Sequence, residues 1–178
     1  VEIKSQPRQY DDVVVDTWVN EFNRLSSTRN FKVHKGDEVV AYGVSQWCMI
    51  NMKTRQAVDM STLKDVYERA MVAEPSPIAV PARLRAIEPT TTTSRPVVYS
   101  DIDFNRHVNT LRYIDLVFDA LPIELIEKNG GMRIDLNFIA EARYGETLTI
   151  GAVNEGSIWQ FEISSDGGKT LCRAKITF

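Results

Sequence analysis

Asp101, Asp103, Asn105 and His107 occupy every second position within VVYSDIDFNRHVNTLRYIDLVFDALP, residues 97–122. The chain has two histidines, and one of them ends this ladder, where a helical pattern begins. Alternate residues of an extended segment project to one side. The first N–H groups of a helix lack intrahelical partners and carry partial positive charge. Carboxylates, an amide and an imidazole gathered there could supply a base or nucleophile, donors for an oxyanion and a proton source.

Other chemistries compete for the same residues. Asp, Asn and Ser before a helix commonly serve as N-caps or Asx-turns, which is the reading for Asp101 and in part for Asn105. DIDFN also resembles the start of a calcium loop. The EF-hand requires Gly at its sixth position and Glu at its twelfth, and these are Arg106 and Arg112. A transition-metal site from Asp103, His107 and Glu141 would have one imidazole and two carboxylates, a donor set inferred from separated sequence positions alone. Cys172 alternates in phase with Ala174, Ile176 and Phe178, and Cys48 lies between Trp47 and Met49. Both therefore read as strand residues rather than nucleophiles. Trp18 and Trp47 read as core. His34, next to the Lys35-Gly36-Asp37 turn, reads as solvated.

The elements that must position the ladder follow from periodicity. A strand ends near Tyr99. Thr110, Tyr113, Ile114, Val117, Phe118 and Leu121 keep helical spacing, with Leu111 and Leu116 thickening the face, so a helix is predicted from about 108 to 120. A short second helix begins at Pro122 and stops at Gly130 and Gly131. Four strands follow at about 133–140, 147–153, 158–164 and 169–178. In the third, Trp159, Phe161 and Ile163 alternate with polar residues. A helix apolar on more than one face should be wrapped by this antiparallel sheet.

The N-terminal part resembles the C-terminal part. Residues 10–19 align with 144–153 and residues 31–34 with 161–164, each block followed by a glycine-containing hairpin turn. The start of the chain, VEIKSQPRQY, corresponds to RIDLNFIAEARY. On this alignment the first copy lacks its own first strand and central helix, and the natural protein is expected to carry them further N-terminal, since a bare wrapping face would expose a large apolar patch. Between the copies, STLKDVYERAM reads as a short helix capped by Ser61. Five of seven prolines fall between Pro75 and Pro96, which reads as an extended linker. The expected organisation is a first unit over 1–74, a linker over 75–96 and a second unit over 97–178.

Composition narrows the setting. Hydrophobic residues make up 43% and charged residues 25% of the 178 residues, ordinary for a globular chain. A net charge of −3 does not suit a nucleic-acid binder that works through bulk charge. No apolar run approaches the roughly 20 residues needed to span a bilayer. Two cysteines make no disulfide scaffold, so a reducing compartment is the default.

Taken together, SDIDFNRHVN with Tyr113 behind it, VDTWV at residues 15–19 and SQWCMINMKTRQ at residues 45–56 resemble the acyl-acyl carrier protein thioesterases of plants and bacteria. The resemblance covers nearly the whole chain. It implies an α+β architecture of tandem hot-dog folds, the first incomplete at its N-terminus, with the chemistry in the second unit and much of the acyl tunnel in the first. It implies hydrolysis of a fatty acyl thioester on the 4'-phosphopantetheine arm of acyl carrier protein, without cofactor or metal. The setting would be the bacterial cytoplasm or, in a plant, the plastid stroma, and a homodimer is left open. Asp103, Asn105, His107 and Glu141 match the family's catalytic residues. The backbone N–H groups of Val108 and Asn109 are expected to face the oxyanion. Arg83, Arg85 and Arg95 are expected to contribute to docking of the acidic carrier protein. Ala142 stands where plant members have a cysteine, so a cysteine-nucleophile route has no candidate there. Thr110 replaces a second Asn, and Leu116 replaces a Trp. Asp103 or Glu141 would act as base on water or as a direct nucleophile. An acyl-CoA thioesterase and a non-catalytic acyl-binding module are the alternatives.

Overall fold

The structure is a computed structural model that describes residues 1–178. The chain divides into two units, Val1–Pro81 and Ala82–Phe178.

The first unit has four strands, β1 (Glu2–Ile3), β2 (Val14–Phe22), β3 (Ser27–Lys35) and β4 (Glu38–Trp47). They pair antiparallel in the order β2-β3-β4-β1. A 3-10 turn, Met60–Leu63, leads into helix α1, Lys64–Ala70, none of whose residues is buried. The cap of this turn is Asp59, whose side chain accepts from the Ser61 N–H, not Ser61 as the pattern suggested. Trp18 is buried and donates its indole N–H to the Glu74 carbonyl. Trp47, Met49 and Cys48 are exposed, contrary to the core reading. β4 ends at Trp47, so its alternation no longer dictates which side chains point inward. His34 is only partly exposed, with Nδ1 2.6 Å from the Gly36 carbonyl and Nε2 3.2 Å from Asp16.

In the second unit, β5 (Thr91–Pro96) is followed by a 3-10 turn at Tyr99–Asp101, α2 (Thr110–Asp119), α3 (Ile123–Lys128) and four strands. These are β6 (Met132–Phe138), β7 (Thr147–Glu155), β8 (Ile158–Ser165) and β9 (Thr170–Thr177). The sheet order is β6-β9-β8-β7-β5, all antiparallel. The run β7-β8-β9-β6 repeats the first unit's β2-β3-β4-β1, as the internal alignment requires. This is the α+β hot-dog pattern.

The linker reading fails at its C-terminal end. Thr91–Pro96 pairs with β7 along its whole length. It is an edge strand, where Pro96 at the last position costs no ladder bond in the interior, and where threonine's branched side chain is favourable. Thr92 pairs with Gly151, and a Cβ on Gly151 would come within 2.9 Å of the Pro89 Cβ, so only glycine lets the approaching chain lie this close.

α2 is shorter than its periodic pattern because Asn109 caps it, accepting from the Leu111 N–H at 2.9 Å. It buries Tyr113, Leu116 and Val117, each contributing at most roughly 1.5–3 kcal/mol by area. Leu121-Pro122 ends it, since the residue before proline avoids helical geometry. The sheet supplies Leu148, Ile150, Phe161, Ile163, Cys172, Ala174 and Ile176, all buried.

Cys172 sits in phase with Ala174 and Ile176, as its alternation predicts, and burial pushes its thiol up to about 12. Cys48 is exposed. A thiolate-selective alkylating agent at about pH 8 should therefore label Cys48 alone in the native protein and both cysteines in denaturant, as counted by mass spectrometry. Native labelling of Cys172 would contradict the core assignment.

Candidate active site

The ladder is not extended. Residues 102–108 fold back into a tight loop, with Ile102 bridged to Val108. The Asp103 N–H donates to the His107 carbonyl at 2.9 Å, and the Arg106 N–H donates to the Asp103 carbonyl at 3.0 Å. Arg106 takes a left-handed backbone conformation (φ 64°) to close this turn, uncommon for a residue with a side chain. Asp103 and His107 therefore meet across a loop and not along one side of a strand.

Asp103 holds that loop. Its Oδ1 accepts from the Asn105 N–H at 2.8 Å and the His107 N–H at 3.3 Å. This is the Asx-turn role expected of Asp101. Oδ2 is left over for a water or substrate. Asn105 stands at the exposed tip, and its side chain makes no hydrogen bond. Phe104 beside it is 95% exposed.

His107 and Glu141 come together although far apart in sequence. His107 Nε2 lies 3.5 Å from Glu141 Oε2, with the imidazole largely covered and the carboxylate about half exposed. The β6–β7 connection carries Glu141 to this point, and it is laced to the loop. The Val108 N–H donates to the Ala142 carbonyl at 2.9 Å, and His107 bridges to Arg143.

Those bonds correct the expected oxyanion donors. The Val108 N–H is committed to Ala142, and the Asn109 N–H donates to the Asp101 carbonyl at 2.8 Å. Neither can face a developing oxyanion without breaking a structural bond. The Leu111 N–H is taken by the Asn109 cap. The first-turn donor that remains is the Thr110 N–H, one residue inside the helix.

Arg95 also departs from its expected role. Its Nη2 lies 2.6 Å from Asp101 Oδ2, and Asp101 is buried. The same oxygen accepts from the Val98 N–H at 2.8 Å. Arg95 therefore neutralises a buried carboxylate behind the site loop and is not a free surface cation. Arg83 and Arg85 are exposed.

Sequence reading missed four supporting groups: the Asp101–Arg95 pair, the Tyr113 hydroxyl, which accepts from the Ala142 N–H at 3.2 Å, and Lys169, whose Nζ donates to the Glu141 carbonyl at 2.9 Å. Only Arg95 and Asp101 are near in sequence. The others meet the site through tertiary packing, which leaves no local signal. No three His, Cys, Asp or Glu side chains cluster so as to hold a metal ion.

The structure brings the His107 imidazole to the Glu141 carboxylate, in a loop that Asp103 closes and three residues before the open Thr110 N–H, and an imidazole–carboxylate pair of this kind suits acyl transfer to water. Comparison with known proteins is consistent with that chemistry. The acyl-ACP thioesterase C-terminal domain model matches residues 84–178, and the N-terminal domain model matches residues 1–69. An acyl-ACP thioesterase from Bacteroides thetaiotaomicron, solved by crystallography, is 33% identical with a TM-score of 0.85, covering 99% of this chain and 72% of that one. The 12:0-ACP thioesterase from Umbellularia californica has a TM-score of 0.83 at 19% identity, over 98% of this chain and 70% of that one, a likeness of fold. Oleoyl-acyl carrier protein thioesterase 1 of Arabidopsis thaliana, a chloroplast protein, is 26% identical over 83% of this chain and 44% of its own length. The corresponding Coriandrum sativum protein is 26% identical over 94% of this chain and 49% of its own length. The chain thus spans about half the length of these plant relatives. With both of its domain models matched in order, and a solved member superposing over nearly every residue, this chain belongs to the acyl-ACP thioesterase family.

Proposed function

We propose that this protein hydrolyses the thioester of a fatty acyl chain carried on acyl carrier protein, with the second unit carrying the chemistry. The observation that carries the reading is the His107–Glu141 pair, 3.5 Å apart, beside the loop that Asp103 closes and the open N-terminus of α2. Glu141 takes a proton from a water molecule as the water oxygen attacks the thioester carbonyl carbon. The oxygen that becomes negative lies toward the Thr110 N–H, with the Asn105 amide as a second donor. Collapse of the intermediate breaks the C–S bond, and His107 in its protonated form gives its proton to the leaving thiolate. Transfer of the proton from Glu141 to His107 restores both groups. The products are a free fatty acid and the carrier's thiol. By family likeness the compartment is that of fatty acid synthesis, the plastid in a plant or the cytoplasm in a bacterium.

Turnover of matched acyl-ACP and acyl-CoA substrates over a series of chain lengths tests the assignment. Hydrolysis of acyl-ACP with a higher kcat/KM than of acyl-CoA is expected. Preference for acyl-CoA would reassign the carrier, and hydrolysis of neither would leave an acyl-binding module.

The exposed Arg83 and Arg85 are the cations we assign to docking of the acidic carrier. Reversing both charges should raise KM for acyl-ACP about tenfold while sparing a small thioester. Equal losses on both substrates would move these arginines to a folding role. The β5 residue Arg95 is excluded from that test because its guanidinium holds Asp101.

A further inference from the structure

Glu141 lies on a connection between strands, not within one, and its carboxylate is about half exposed. Something must fix its position, because a catalytic carboxylate misplaced by about 1 Å can cost orders of magnitude in rate. Two side chains from other elements grip the backbone at this point. On one side, Tyr113 from the buried face of α2 places its hydroxyl oxygen 3.2 Å from the Ala142 N–H. On the other, Lys169 from the turn just before β9 reaches back to the Glu141 carbonyl at 2.9 Å. Ala142 itself is fully buried, and its carbonyl is taken by the Val108 N–H. The peptide group joining Glu141 to Ala142 is thus held at both of its polar ends.

The two grips differ in character. Tyr113 is buried, with its ring against Phe138 at 6.3 Å between centroids. Burial raises its hydroxyl pKa, so the phenol stays neutral while its oxygen accepts from the Ala142 N–H. It ties Glu141 to α2, the helix whose first-turn Thr110 N–H is assigned above to the oxyanion. Lys169 is exposed, and its ammonium adds a charge-assisted bond that ties Glu141 to the β8–β9 turn. Upstream, the Ile139 and Ala140 N–H groups both donate to the Leu171 carbonyl at 2.8 and 3.1 Å, so β9 steers the connection from that side too.

We propose that Tyr113 and Lys169 are positioning residues of the thioesterase site, clamping the Glu141–Ala142 peptide so that the Glu141 carboxylate stays in register with His107. The inference rests on the function proposed above. Its test combines kinetics with a measurement that needs no turnover. Tyr113→Phe keeps the ring and removes the acceptor, and Lys169→Met keeps the stem and removes the donor. Each should lower kcat about tenfold with KM nearly unchanged, because the acyl chain is held elsewhere. Lys169→Arg, which keeps a donor, should recover most of the loss. By NMR hydrogen exchange, the Ala142 amide should exchange faster in Tyr113→Phe while the Val108 amide keeps its protection. A Tyr113→Phe protein with faster Ala142 exchange and wild-type kcat would overturn the positioning role. Unchanged Ala142 exchange would overturn the clamp itself. If the unmodified protein hydrolyses no thioester, the proposed function fails, and Ala142 exchange still decides whether the clamp exists.

Discussion

Replacing His107 by alanine should lower kcat on acyl-ACP by about 10²-fold or more, with KM changed far less. His107 is the group that both touches Glu141 and stands at the loop behind the helix N-terminus. Its backbone already does structural work, since its N–H reaches Asp103 and its carbonyl accepts from the Asp103 N–H. The alanine variant keeps those two bonds, so the loop should survive and the loss should report on the imidazole alone. His107→Gln should not restore the rate, because an amide can donate a hydrogen bond but cannot deliver a proton to the thiolate. Turnover of acyl-ACP against concentration, with thermal melts as a folding control, separates the outcomes. A folded His107→Ala enzyme within a few-fold of wild type would remove His107 from the mechanism. Cys172→Ala makes the opposite control: turnover should stay within a few-fold, since the thiol is buried in β9 and its hydrogen bond goes to the Arg173 carbonyl rather than to His107, Glu141 or Asp103.

How much of this was legible depends on the range over which each signal acts. The second unit's strands and helix follow from local alternation and helical spacing, and they lie within a few residues of their expected bounds. The start of α2 lies two residues later than its periodic pattern, because Val108 keeps the apolar spacing while Asn109, a favourable N-cap, sets the first helical residue at Thr110. That offset moved the available first-turn donor from Val108 and Asn109 to Thr110. Thr91–Pro96 was read as linker because prolines dominate the segment, yet a sheet edge tolerates proline, and which segment becomes the edge is decided by tertiary pairing. The meeting of Glu141 with His107 was available only through family likeness, since nothing local links two positions on different elements. Tyr113 belongs to the motif, but its hydroxyl contact, like the reach of Lys169, arises from tertiary packing between elements far apart in sequence.

Removing Arg95 should destabilise the second unit more than removing the charge of its partner does. Asp101 is 4% exposed, whereas the Arg95 side chain is 35% exposed. In Arg95→Ala the carboxylate stays behind in the protein with only the Val98 N–H as a donor, so a buried charge loses its counter-ion. Breaking a fully buried pair in this way costs about 3–5 kcal/mol, and partial access of solvent on the arginine side should bring the loss to about 2–3 kcal/mol. In Asp101→Asn the guanidinium can turn to water, and the amide oxygen can still accept from Val98, so the loss should be about 1 kcal/mol. The double variant should then be more stable than Arg95→Ala alone, because it leaves no charge stranded. Urea denaturation followed by tryptophan fluorescence, with Trp159 as the reporter in this unit, measures the three values. The consequence for catalysis follows from the other end of Asp101. Its carbonyl accepts the N–H of Asn109, the residue that caps α2. Loosening Asp101 shifts the cap, and with it the Thr110 N–H, so Arg95→Ala should lose kcat even where it remains folded, and Arg95→Lys should recover only part, since an ammonium cannot reproduce the guanidinium's planar fork. A double variant whose loss equals the sum of the two single losses would show that the two groups are not energetically coupled.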